Sequence, residues 1–228
     1  AHRIIPTLLV RGRTLVKGER FAAWRSIGHA LQAARIHAMR EVDELMILDI
    51  TATAEHRGPD LAMVEELTAG CFMPVTVGGG VRSLQDIDAL LRAGADKVAI
   101  GTGIVEVPGL LEQAAQRFGN QALVASLDVN AAQPWVRCGT KPVDAFNLAA
   151  WARCLAESGA GELLLSCIDR DGTMQGYDLD LIREVSQAVD IPVIASGGCG
   201  SYEHMLDAFK AGADACAAGA LFAWTDCT

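Results

Sequence analysis

Short, uninterrupted apolar runs alternate along this chain with longer segments in which apolar residues recur every three or four positions. The runs cover 4–10, 45–48, 75–77, 98–100, 123–127, 163–166, 193–195 and 215–218. Runs this short, with no polar alternation, predict strands buried on both faces, as in a parallel sheet covered by helices. Between them, 27–40 carries Ile27, Ala30, Leu31, Ala34 and Ala38 at helical spacing, and 60–69 carries Leu61, Val64 and Leu67. Ser83 and Asp86 form a capping-box pattern ahead of Leu84, Ile87, Leu90 and Leu91. Pro108 is expected at the first position of the next helix. Further helices are predicted over 147–157, 178–189 and 203–211, while 11–21 reads as a long polar loop.

The pattern repeats itself. Pro74-Val75-Thr76-Val77-Gly78-Gly79-Gly80 leads through a helix to Ala93-Gly94-Ala95-Asp96, and Pro192-Val193-Ile194-Ala195-Ser196-Gly197-Gly198 leads to Ala211-Gly212-Ala213-Asp214. Glu44-Leu45 and Glu162-Leu163 keep the same offset. A half-length repeat of eight strand–helix units predicts an α/β fold, a single (β/α)8 TIM barrel built from two duplicated half-barrels and spanning 1–228. An open doubly wound sheet is the alternative. Only 221–228 follow the eighth strand, so the closing helix is expected to be absent or truncated.

A hydrophobic content of 51% supplies a large core, and no apolar run approaches the roughly 18 residues of a membrane span. A net charge of −9 argues against a nucleic-acid partner. The segment 1–6 lacks the apolar core of a signal peptide, and seven cysteines without a Cys-x-x-Cys read as buried apolar side chains of a reduced, cytoplasmic protein. The histidines show no metal-ligand spacing, and no metal or other cofactor is expected.

Function in such a barrel sits on the loops that follow the strands. There, Gly79 and Gly80 with Gly101 and Thr102 are expected to cradle one phosphate, and Asp171, Gly172, Gly197, Gly198, Gly219 and Ala220 a second. The plainer reading is that these glycines only turn the chain. Asp128 ends the fifth strand and is a candidate general acid or base, against a purely structural capping role. Asp169 and Asp171 are secondary candidates. The position equivalent to Asp128 in the first half is Leu9, which cannot move a proton. At the strand starts, Arg3, Glu44, Lys97 and Glu162 form either a satisfied ionic plug or a gate on a passage through the barrel.

Arg3-Ile4-Ile5-Pro6, Leu48-Asp49-Ile50-Thr51-Ala52, Thr76 through Ser83, Asp169-Arg170-Asp171-Gly172-Thr173 and Ile191 through Gly198 together resemble the cyclase (synthase) subunit of imidazole glycerol phosphate synthase. The resemblance implies a bisphosphate substrate, with ammonia delivered through the barrel from a glutaminase subunit docked at the strand-start face. It places Arg3, Glu44, Lys97 and Glu162 at the gate and Lys17 on the active-site loop. It also implies two catalytic aspartates, of which this chain has Asp128 but carries Leu9 in place of the other. Gly101 stands where the family usually has Asn, and Ala220 where it usually has Ser. A paralogous group associated with surface-polysaccharide genes resembles this chain in its Leu-Leu at that position and is held to amidate a sugar nucleotide. Three functions follow as expectations: an ammonia-using subunit for sugar amidation, an authentic cyclase for histidine biosynthesis, or a non-catalytic glutaminase-docking subunit.

Overall fold

A computed structural model describes residues 2–143 and 147–225. Eight parallel strands close into a barrel: β1 (Arg3–Arg11), β2 (Leu45–Asp49), β3 (Val75–Gly78), β4 (Lys97–Ile100), β5 (Leu123–Asn130), β6 (Glu162–Cys167), β7 (Val193–Ser196) and β8 (Ala215–Ala218). Each pairs with the next in sequence, β8 returning to β1 with Ile4 opposite Cys216 and Ile5 opposite Ala217. The closed arrangement is therefore the observed one, and the open sheet is not.

Alternation along each strand splits the core in two. Leu45 and Ile47 of β2, Val75 and Val77 of β3 and Leu163 and Leu165 of β6 point outward into the layer shared with the helices. Ile5, Met46, Val124, Leu164, Ile194 and the small Ala99, Ala215 and Ala217 point inward and fill the barrel.

The repeated Ala-Gly-Ala-Asp sequence has a physical explanation. Gly94 (φ 104°) and Gly212 (φ 114°) end their helices, Leu84–Arg92 and Tyr202–Ala211, with backbone that favours glycine. Two residues on, Asp96 Oδ2 accepts from Val75 N–H at 2.8 Å and Asp214 Oδ2 from Val193 N–H at 3.0 Å. Each aspartate thereby fixes the start of one strand against the next. Asp60, Ser83, Asn147, Asp178 and Ser201 cap the helices that follow them, each accepting from the N–H three residues on.

Several expectations need correction. The stretch 11–21 is not a loop: Thr14–Glu19 pairs antiparallel with β1 and with Ala22–His29, extending β1 into a hairpin over the barrel mouth. The first helix accordingly begins at Ala30 rather than at 27. Pro108 does not open its helix; left-handed Gly109 does, and the helix is Leu110–Phe118. A second unpredicted hairpin joins β5 to Gln133–Val136. Of the cysteines, Cys167, Cys199 and Cys216 are buried, Cys71 and Cys138 are half-buried, and Cys154 is exposed; Cys227 lies outside the described residues. Among the described residues no helix is long and apolar enough to cross a membrane.

Candidate active site at the strand ends

The loops after the strands enclose a cleft of about 1190 Å³, counted to its open mouth. Its two glycine turns are related by the repeat. Gly79 (φ 115°) and Gly80 (φ 73°) follow β3, and Gly197 (φ 93°) and Gly198 (φ 102°) follow β7. A Cβ on any of the four would collide with backbone: on Gly79 with the Asp49 carbonyl, on Gly80 with that of Arg57, on Gly197 with that of Cys167, and on Gly198 with that of Gly176. Among the described residues no protein acceptor takes the N–H of Gly80 or Gly198. Free N–H groups on left-handed turns suit an anion.

The companions of each turn differ. Gly101 (φ −112°) has room for a side chain, since its Cβ would meet nothing closer than Ser126 Cβ at 3.5 Å. Thr102 Oγ1 is already engaged, accepting from Arg137 N–H at 2.8 Å. Ala220 opens the last helix, Ala220–Thr225, and Gly219 before it lies against the Lys17 ammonium, 3.0 Å from where its Cβ would stand. Gly172 (φ 74°) packs on the Gly18 carbonyl. Asp171 is the misfit among the expected phosphate ligands. Its own N–H is spent on Cys167 and Ile168 carbonyls at 3.0 and 3.1 Å, so it offers an anion only a carboxylate.

Three carboxylates approach the cleft. Asp49 is committed to its loop: Oδ1 accepts from Thr51 N–H, Thr51 Oγ1 and Ala52 N–H, and Oδ2 pairs with Arg57 Nη1 at 2.7 Å. Asp128 has one protein donor, Ser126 Oγ at 3.2 Å. Its residue is half-buried and lines the cleft. Burial pushes its pKa up to about 7, the Ser126 hydroxyl opposing the shift and the charge of Asp171 adding to it. Asp171 is likewise raised by burial, against the pull of Lys17 and the Phe21 N–H. Lys17 Nζ stands 3.8 Å from Asp171 Oδ1, while Asp171 Oδ2 is buried without a hydrogen-bond partner. Asp169 instead accepts from Ala131 N–H at 2.9 Å, tying two loops together.

The hairpin from β1 covers this arrangement. Its tip residues Arg20, Phe21 and Ala23 all adopt left-handed backbone (φ 52°, 57° and 51°), and Arg20 N–H donates to the Asp171 carbonyl at 2.9 Å. Lys17 is thereby only 5% exposed, and Phe21 and Trp24 line the cleft from above.

At the opposite end the four expected charges meet. Arg3 Nη1 lies 2.8 Å from Glu44 Oε2 and 3.1 Å from Glu162 Oε1; Lys97 Nζ lies 3.0 Å from each of the same oxygens. Thr76 Oγ1 donates to Glu44 Oε1 at 2.7 Å. Two cations and two anions alternate in one ring, and the inward apolar layer stands between this ring and the cleft.

The model of the histidine biosynthesis protein family matches residues 3–227, nearly the length of this barrel. The chain belongs to that family.

Within this histidine biosynthesis family barrel, the structure adds site residues that sequence reasoning did not single out. Ser126, Ser166 and Ser196 face the cleft from β5, β6 and β7, and Phe21 and Trp24 close over it. These serines lie two residues after the inward Val124, Leu164 and Ile194 and were readable from strand alternation alone. The aromatic pair is not, because Phe21 falls in the stretch that reads as a polar loop and no element is predicted over 22–26. Among the described residues no group of three or more His, Cys, Asp or Glu side chains is placed to hold a metal ion.

Proposed function

We propose that this family member is the acceptor-side subunit of a glutamine amidotransferase complex. A glutaminase docks at the strand-start face, and the ammonia it releases crosses the barrel to a phosphorylated acceptor bound at the strand ends. The ring of Arg3, Glu44, Lys97 and Glu162 carries the reading, because it caps the barrel interior directly opposite Asp128 and the glycine turns. Phe72, 98% exposed, lies in the loop entering β3, and Met39, 77% exposed, ends the helix that leads to β2; both favour a protein partner at that end. Leu9 favours sugar amidation over imidazole ring closure. It leaves an apolar wall where an acid would be needed, so the acceptor is a phosphorylated sugar for surface polysaccharide and the setting is the cytoplasm. The phosphates orient the acceptor, and Asp128, which exchanges a proton near neutrality, serves the incoming amine. Because Asp49 is committed to its loop, Asp171 is the second carboxylate available.

The test is to mix the chain with a purified glutaminase subunit and glutamine. A complex that hydrolyses glutamine faster than the glutaminase alone is expected; absence of both a complex and stimulation overturns the reading. A second reading, the authentic cyclase, is favoured by the unpartnered Asp171 Oδ2 beside Lys17, which could stand in for the acid missing at Leu9. Turnover of the aminoimidazole-carboxamide bisphosphate substrate with ammonium salt would select it. No turnover, with partial activity in Leu9→Asp, selects sugar amidation.

A further inference from the structure

Among the described residues the cleft is lined by two positively charged side chains, Lys17 and Arg82, and they attend different glycine turns. Arg82 follows the turn at Gly79 and Gly80 by two residues. Lys17 reaches from the β1 hairpin to the end of β8, where its ammonium lies 3.0 Å from where a Gly219 Cβ would stand. Their surroundings differ in charge. Lys17 Nζ faces Asp171 Oδ1 at 3.8 Å, and Asp171 also lines the cleft. No carboxylate among the described residues pairs with Arg82. The arginines on the loops near its turn are already neutralised: Arg57 pairs with Asp49 and with Glu55, each at 2.7 Å, and Arg137 pairs with Glu106.

The repeat allows the two turns to be compared position by position, and their backbones agree. Arg82 N–H donates to Asp86 Oδ2 at 2.9 Å, and at the repeat-related position Gly200 N–H donates to His204 Nδ1 at 3.1 Å. The side chains do not agree. Where the second turn has the bare Gly200, the first has a guanidinium. That group makes one hydrogen bond, from Nη2 to the Thr53 carbonyl at 3.3 Å, and Thr53 lines the cleft as well. Thr102 Oγ1 is already taken by Arg137 N–H, so Arg82 is the strong side-chain donor left at the first turn. Arg170 stands beside the second turn, its Cβ 3.0 Å from where a Gly198 Cβ would be, but it is not among the residues lining the cleft.

We infer that Arg82 is a further ligand-binding residue, which fits the Gly80 turn to a doubly charged phosphate monoester. The turn at Gly198, where Lys17 already faces Asp171, fits a singly charged anion such as a phosphodiester. The inference rests on the reading of this cleft as the acceptor site and gives the acceptor a direction, its monoester end towards β3 and β4. An arginine fork binds two phosphate oxygens side by side, and its attraction grows with the charge they carry. A carboxylate beside the other cation works the opposite way, repelling a second negative charge on the ligand.

The experiment titrates the full chain with methyl phosphate, a monoester, and dimethyl phosphate, a diester, followed by phosphorus NMR at a pH where the monoester is doubly charged. At its tighter site the unmodified chain is expected to prefer methyl phosphate by about tenfold. Arg82→Gln should weaken methyl phosphate there by about tenfold or more and dimethyl phosphate by only about threefold, removing most of the preference. Arg82→Lys, which keeps the charge but not the fork, should restore part of it. Asp171→Asn, which removes the opposing carboxylate, should tighten methyl phosphate at the weaker site. Arg82 is half-buried, and melting temperatures close to that of the unmodified chain are expected for its variants. Equal binding of the two compounds by the unmodified chain, or a preference that Arg82→Gln leaves intact, overturns the inference. No tightening in Asp171→Asn overturns its assignment of the second turn. If neither compound binds the unmodified chain, the acceptor-site reading falls and the inference with it.

Discussion

The environment of Asp128 sets its titration. The unfolded chain releases this proton near the ordinary value of 3.8, the folded chain near 7. Between those values the folded state holds more protons than the unfolded state. Stability therefore falls as pH rises through that window and levels off above it. Asp128→Asn removes the titration while keeping an oxygen for Ser126 Oγ to bond. Urea unfolding of this variant should show a shallower loss of stability from pH 4 to 7, and at pH 8 a gain of about 2–4 kcal/mol over the unmodified chain. An unchanged pH slope would mean that the buried charge lies elsewhere. The contrast with Asp49, whose Oδ1 takes three hydrogen bonds within its own loop, shows why residue type and strand-end position alone could not rank the carboxylates. Both were legible as strand-end acids; only the partners around them tell the acid held by its own loop from the one with a single protein donor.

At the level of elements, the aspartates that end the repeated Ala-Gly-Ala-Asp sequence act as strand clamps. Removing one carboxylate by Asp96→Ala or Asp214→Ala leaves a strand N–H short of an acceptor and should cost about 1–3 kcal/mol. Since each kcal/mol lowers the melting temperature of a chain this size by about 2–4 °C, thermal unfolding resolves the effect. The repeat relation predicts similar losses for the two variants. The same elements show what the sequence makes visible. The barrel strands are short apolar runs fully buried in parallel pairing, and their signal survives intact because nothing polar interrupts it. The hairpin over 14–29 escapes notice because its second strand, Ala22–His29, is largely exposed and mixes Trp24 and Ile27 with Arg25, Ser26 and Gly28. Its pairing comes from continuity with β1, a tertiary cause. The glycine turns were legible for the opposite reason: a left-handed backbone pressed against a neighbouring carbonyl admits no other residue. Gly101 carries the same letter without that constraint, and only coordinates separate the two cases.

For the molecule as a whole, the charged ring and the apolar interior define one axis. Glu44 is the ring's most enclosed member, its side chain 2% exposed and bonded to Arg3, Lys97 and Thr76. Glu44→Gln leaves two cations facing one carboxylate in a nearly dry setting and should destabilise the barrel by about 3 kcal/mol in urea unfolding. Pairing it with Lys97→Met should recover part of the loss, because the surplus cation is gone. A ring with no energetic coupling would give additive losses instead.

The backbone at the hairpin tip bears on the timing of any traffic through the mouth. Arg20, Phe21 and Ala23 each hold a left-handed conformation that costs about 1 kcal/mol for a residue with a side chain. The covered state is thus held under tension by its contacts with Asp171 and Gly172. A small loss of those contacts would release it. Residence time, more than equilibrium affinity, is then the property exposed to change at this tip. Ala23→Gly, which removes one such cost, should keep a bound phosphate compound in the cleft longer, seen as a slower off-rate in a displacement experiment.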